Sequence, residues 1–328
     1  MKRIIGIFIS LSILAVIFLT IDINQFIHNF KNINLVYFAI SLLFFVPQTY
    51  VSARRWQLIL NTQCVISLWK SVSLILASST LNVILPSKVG DFAKALFLRR
   101  SDGLELSKGF SLTFIEKTLD VAGLCVVLLV GALFIPNSNS TVSLSMVFSF
   151  FVIGVAIFMF SYDMRKLKLN WLASKVGVEK RLNAFLDEWQ ESVSTQRRDK
   201  ERFIVILCLS IFLWFLHIGQ VYLFFLSLNS AVSPIVVFAY VPLSIFVGLI
   251  PISFGGIGTR DAALIYLFSP YESSSIMAGI GILCSFRYFV PALCGLPFLD
   301  KLGFKPQEIK RESLNKIEQS RRAQGDRF

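Results

Sequence analysis

Residues 235–261 read IVVFAYVPLSIFVGLIPISFGGIGTRD: an apolar run from Ile235 to Ile250, then Pro251, then Gly255-Gly256-Ile257-Gly258, then the charged pair Arg260-Asp261. Proline removes a backbone donor and glycine admits irregular dihedrals, so a helix formed by the run is interrupted at its end. A second stretch has the same plan. Leu68–Leu85 is apolar and is followed by Pro86-Ser87-Lys88-Val89-Gly90-Asp91 and a short apolar helix over Phe92–Leu98. A matched pair of Pro/Gly-interrupted apolar segments in two halves of a chain points to a transporter-like site near the bilayer midplane.

The composition places these segments in lipid. Of 328 residues, 55% are hydrophobic and only 16% are charged. Ordinary soluble domains carry about 25% charged residues. That excess of apolar surface excludes a soluble enzyme, and disorder goes with it. Six further apolar runs complete the set: Ile4–Ile21, Leu35–Ser52, Gly109–Ile135, Val142–Phe160, Phe203–Leu228 and Ser275–Leu299. The expected fold is an all-α, polytopic membrane helix bundle with eight hydrophobic segments, two of them broken or re-entrant. The first run follows Met1-Lys-Arg but no small-residue cleavage site follows it, which predicts an uncleaved span.

The net charge of +12 is read as topology before nucleic acid, because Lys and Arg gather on the cytoplasmic side. Arg54, Arg55 and Lys70 mark one cytoplasmic end. The insertion at about 161–202 and the tail at 301–328 are both rich in Lys and Arg, whereas Pro136–Thr141 and Ser227–Ser233 carry no charge. Full crossing by Leu68–Leu85 would strand Lys88, Lys94, Arg99, Arg100 and Lys108 outside, and re-entry removes the conflict. The expectation is a bacterial inner-membrane protein with both termini cytoplasmic. Residues 1–300 form the membrane domain. Leu182, Phe185, Leu186, Trp189 and Val193 keep helical spacing within the insertion, predicting a helix on the membrane surface or capping the bundle.

Charges inside spans cost roughly 2.5–3.5 kcal/mol each at a helix centre. Glu116 and Asp120 are one turn apart beside Lys117, and Arg287 lies within the last run. Arg260 and Arg287 have the fork geometry to hold a phosphate-bearing head group, with the carboxylates orienting them. The alternative is a structural ion pair of Arg287 with Glu116 or Asp120. Helix starts after Gly90 and Gly258 would present free N–H groups to an anion; the alternative is a turn and nothing more. His217 and Gln220 share a face and are read as glue to a neighbouring helix. Five Cys without CxxC spacing and two His predict neither disulfide framework nor metal centre. No ATP-binding loop or hydrolase motif is present.

Three stretches together carry a resemblance: Pro86-Ser-Lys-Val-Gly-Asp91, Phe114-Ile-Glu-Lys-Thr-Leu-Asp120, and Pro251-Ile-Ser-Phe-Gly-Gly-Ile-Gly258 with Arg260-Asp261. They resemble the flippase-like membrane domain of lysylphosphatidylglycerol synthases of the MprF type and of stand-alone YbhN-like proteins. Asp91 and Asp261 stand where that family usually has Glu, and Lys117 stands for its Arg. The resemblance implies a lipid translocator whose path is lined by Pro86, Lys88, Gly90, Asp91, Glu116, Asp120, Pro251, Gly255, Gly256, Gly258, Arg260, Asp261 and Arg287. The expected partner is a membrane lipid with an anionic or phosphate-bearing head group, with no nucleic acid and no cofactor. A partner synthase or a second copy of the chain is the further possibility. No aminoacyl-transfer domain follows the last run, so lysyl transfer by this chain alone is not expected. The rival functions are a membrane-embedded transferase in a glycolipid or lipid-modification pathway and a non-catalytic scaffold for a synthase.

Overall fold

Polar residues between the apolar runs set where helices begin. Asp22, Asn34, Ser67, Asp199 and Ser273 each accept a hydrogen bond from a first-turn backbone N–H, satisfying a donor that a helix start leaves open. A computed structural model describes residues 2–85, 90–134, 140–166, 179–249, 253 and 256–301. Over these the chain is helical, without strands.

Fourteen α-helices are described: α1 (Lys2–Thr20), α2 (Ile23–Lys31), α3 (Leu35–Leu43), α4 (Phe45–Leu60), α5 (Leu68–Ile84), α6 (Ala93–Asp102), α7 (Leu106–Ala132), α8 (Ser140–Ser161), α9 (Glu179–Arg198), α10 (Lys200–Ser227), α11 (Pro234–Leu249), α12 (Thr259–Phe268), α13 (Ser274–Phe286) and α14 (Phe289–Lys301). Helix occurs in all eight apolar runs, but length and apolarity together single out four candidate spans: Leu35–Leu60, Val142–Ser161, Lys200–Ser227 and Ser274–Leu299. A fifth exists if Phe8–Thr20 and Ile23–Lys31, bent by 94°, count as one. Helices α5 and α11 have 17 and 16 residues. Helix α7 has 27 residues, enough to cross (about 1.5 Å per residue), but it carries four charges.

Both short apolar helices are followed by a shorter one whose far end folds back onto the first, at its beginning in one half and at its middle in the other. Lys70, in the first turn of α5, pairs at 2.6 Å with Asp102, the last residue of α6. In the other half the Tyr240 ring of α11 lies 5.8 Å from Phe268 and 5.9 Å from Tyr271, at the end of α12. Pro86, Lys88, Pro251 and Gly255, the turn residues singled out in the sequence, lie outside the described residues, as do 167–178 and the tail from 302 onward.

Two apolar cores share α7. One gathers Trp56, Leu60, Leu74, Phe97, Leu112 and Ile115 from α4 to α7; the other gathers Leu124, Val127, Phe224, Val237, Phe268 and Ile280 from α7 and α10 to α13. Helix α9 caps the first core: Trp189 and Val193 are buried, and Trp189 stands edge-on to Phe114 at 5.4 Å. Gln196 donates to the Ile59 carbonyl at 2.7 Å, closing the end of α4. This settles the capping alternative for the segment. At the same end Arg99, Arg100, Arg165, Lys166, Arg197 and Arg198 are exposed. On the flank, α8 exposes Leu144, Val147, Phe150 and Phe151, an apolar face of the kind that lipid rather than water covers.

Helix α14 lies so close to α5 that a Cβ on Gly295 would come within 2.0 Å of the Leu76 carbonyl oxygen, and Thr80 donates to the Ala292 carbonyl at 2.6 Å. Small residues permit this approach where lipid supplies no hydrophobic drive between helices. Gly295→Val should therefore destabilise the bundle by about 2–3 kcal/mol, read as a lowered unfolding midpoint in detergent; an unchanged midpoint would contradict this packing.

Candidate functional site

On α7 a spacing of four brings Glu116 and Asp120 to one face, where the two apolar cores meet. Glu116 is 2% exposed, and water cannot compensate it. The compensation comes from other helices. Arg55 of α4 reaches Glu116 at 3.1 Å and also pairs with Asp120, and donates to the Ser210 hydroxyl of α10 at 3.2 Å. Lys94 of α6 pairs with the other Glu116 oxygen and sits 4.2 Å above the Trp56 ring, a cation–π contact. Lys117 joins Asp91 at 2.5 Å and Asp120 at 3.2 Å, and Asn82 donates to Asp91 at 2.9 Å. Three cations meet three carboxylates, so the cluster is electrically neutral. It is sealed at Arg55, Lys94 and Glu116 and opens toward the Asp91 side, where the Lys117 side chain is 35% exposed.

This corrects two sequence assignments. Arg55 and Lys94, counted as markers of the cytoplasmic surface, are buried at 2% and 1% exposure. Arg287, offered as the structural partner of Glu116 or Asp120, makes no ion pair with either; both carboxylates are taken by Arg55, Lys94 and Lys117. A signal did exist. Val51, Arg55 and Ile59 recur every fourth residue on the buried face of α4, while Arg54 points outward. Lys94 shares its face with Phe97 and Leu98 in the same way.

The second cluster forms at the start of α12. Gly258, at φ 92°, gives its N–H to Asp261 at 3.0 Å, so that helix start is occupied by its own carboxylate rather than left free. Arg260 binds the same Asp261 through two nitrogens at 2.9 and 2.7 Å. It also donates to the Gly281 carbonyl at 3.0 Å and the Ser285 hydroxyl at 2.8 Å. The two halves repeat a device here. Gly90 lies against the backbone of Asn82 and Gly256 against that of Gly248, each eight residues back, and each is followed four residues on by a buried cation, Lys94 or Arg260. A side chain at either glycine would meet the preceding helix at 2.5 and 2.7 Å.

Arg287 caps the end of α13 at 6% exposure. It donates to the His217 carbonyl at 3.4 Å and the Tyr288 hydroxyl at 3.1 Å, with its guanidinium 5.0 Å from the Tyr288 ring. Its Nε is buried without a partner, and no carboxylate among the described residues lies within ion-pair distance. Gln220, on the His217 face of α10, donates to the Ser41 carbonyl at 2.8 Å and accepts from Gln48 at 3.1 Å, the interhelical role expected of it. Among the described residues no three of His, Cys, Asp or Glu converge in a way that could hold a metal ion.

Spanning-length helices around buried charge clusters define a polytopic helical membrane protein. The chain belongs to the family described as the lysylphosphatidylglycerol synthase TM region, whose model matches residues 3–295. The UPF0104 membrane protein MJ1595 of Methanocaldococcus jannaschii is 23% identical over 312 residues, covering 90% of this chain and 93% of the relative. A UPF0104 membrane protein of Methanothermobacter thermautotrophicus is 22% identical over 215 residues, which is 60% of this chain and 64% of that relative's length. A second protein with this description from the same organism is 20% identical, covering 74% of this chain and 76% of its own length. These relatives are archaeal. No solved structure matches the chain.

Removing the carboxylate that faces both Arg55 and Lys94 leaves two buried cations short of compensation. Glu116→Gln, which keeps shape and removes charge, should cost about 3–5 kcal/mol in unfolding from detergent. A wild-type midpoint would show that the cluster does not carry that burden.

Proposed function

We propose that this chain translocates a lipid or lipid-linked head group between the leaflets of the membrane. The observation that carries the proposal is the neutral six-charge cluster on α7, sealed on one side and open at Asp91, Lys117 and Asp120. A passive anchor has no need for six ionisable groups in its interior, and charged residues inside membrane helices mark substrate paths by default. In this reading α7 crosses the bilayer, and α5–α6 and α11–α12 are re-entrant pairs. The return of Asp102 to Lys70, and of Phe268 to Tyr240, supports the latter. Irregular backbone at such breaks is tolerated where it lines a cavity.

The head group moves along the exposed edge of the cluster while its acyl chains stay in lipid against the apolar flank. In this reading the head group approaches past Gly90–Asp91 from one face and past Gly256–Asp261 from the other. The α9 end and both termini are cytoplasmic in this reading; exposed arginines and lysines at that end, against the uncharged stretch 227–233 opposite, support it. Movement in this reading follows a lipid or ion gradient.

The test is a leaflet-resolved assay with fluorescent phospholipids in proteoliposomes. The wild-type chain should accelerate flipping well above protein-free vesicles, and Asp120→Asn and Arg287→Ala should each slow it about tenfold or more, on the order of 1.4 kcal/mol in barrier. Wild-type vesicles that flip no faster than empty ones would overturn the proposal.

A further inference from the structure

The charge balance of the two clusters differs, and the difference selects the kind of head group. Around α7, Asp91, Glu116 and Asp120 are each engaged by at least one cation. In the second half Asp261 is held by Arg260 and by the Gly258 N–H. Each carboxylate of the two clusters is therefore already compensated. Residues 86–89, 250–252 and 254–255, outside the described residues, contain no acid in their sequence and one cation, Lys88. Within the two clusters, among the described residues, the charge without an opposite charge is Arg287, with its Nε unpartnered and buried. Arg260 carries the same charge and is itself held by Asp261, so it offers Arg287 no compensation. The second cluster thus sums to one positive charge.

An ammonium carried into this interior would meet no spare carboxylate, whereas a singly charged oxyanion would meet Arg287 and the Tyr288 hydroxyl. We infer that the lipid taken by this chain bears a net-negative phosphodiester head group seated at Arg287, and that aminoacylated or other amine-bearing head groups are disfavoured, despite the lysyl lipid in the family's name. An isolated buried guanidinium is costly, and an oxyanion can satisfy it in a forked, charge-assisted geometry. The shared chemistry is the oxyanion; a free phosphate ion is the other source it could come from. The inference rests on the translocation reading for its lipid, but it makes a statement about binding that stands or falls separately from transport.

The full chain in detergent, titrated with three lipids of identical acyl chains and read by native mass spectrometry, tests it. Phosphatidylglycerol should bind about tenfold or more tightly than lysyl-phosphatidylglycerol or phosphatidylethanolamine, and should raise the melting temperature through preferential binding to the folded state. Arg287→Gln should bring phosphatidylglycerol down to the level of the other two while melting at or above the lipid-free wild type, because it removes an uncompensated charge. Arg287→Lys, which keeps the charge, should retain part of the preference. Equal or tighter binding of lysyl-phosphatidylglycerol by the wild type, or an undiminished preference in Arg287→Gln, would overturn the inference. Displacement of phosphatidylglycerol by millimolar inorganic phosphate would assign the site to a free ion and overturn the lipid assignment. Loss of flipping with the binding preference intact would count against transport and leave this site standing.

Discussion

The two carboxylates of α7 are the constraint around which the molecule is arranged. A helix with Glu116 and Asp120 inside an apolar bundle cannot simply be surrounded by leucines. It must be met by cations, and those cations must come from elements that are themselves buried. Arg55 therefore sets where α4 crosses, Lys94 sets how far α6 turns back, and Asp91 holds the turn between α5 and α6 against Lys117. Such networks seldom add stability over a well-packed apolar core. What they fix is register. A one-residue slip of α4 would move Arg55 off the buried stripe shared with Val51 and Ile59, and the penalty would be two unpaired charges rather than a poorer fit.

Sequence analysis reached the class of fold because hydrophobic length and charge density are properties of short windows. The apolar helices, the capping helix and the acids on α7 all follow from local composition. The pairing could not be reached that way. Arg55 and Lys94 lie 61 and 22 positions from Glu116, and a basic residue near the end of an apolar run is ordinarily a marker of sidedness. The rule that gathers arginines on one side of a membrane concealed the two cations that leave the surface. The four-residue recurrence of Val51, Arg55 and Ile59 held the needed information, but only for a reader who first extends α4 beyond Ser52, where the apolar run had been closed.

The halves of the chain use one backbone device for different electrostatic ends. In each, a glycine presses the turn onto the helix before it and a cation follows one helical turn later. In the first half that cation is absorbed into a closed balance with acids on α7. In the second, α13 brings no acid, and Arg260 falls back on its neighbour Asp261 on α12 and on backbone carbonyls. The asymmetry gives the bundle one neutral polar edge and one positive point, which under the proposed function would guide a head group along one surface and hold it at another.

A single turn of α10 touches both. The Trp214 indole donates to the Asp120 carbonyl at 2.7 Å and its ring lies 5.4 Å from that of His217, whose own carbonyl receives Arg287. The indole is thus the shared wall of two electrostatic compartments. With the other four tryptophans replaced by phenylalanine, its emission becomes a built-in voltmeter for the interior, registering in one fluorophore the arrival of charge on either side without any added label.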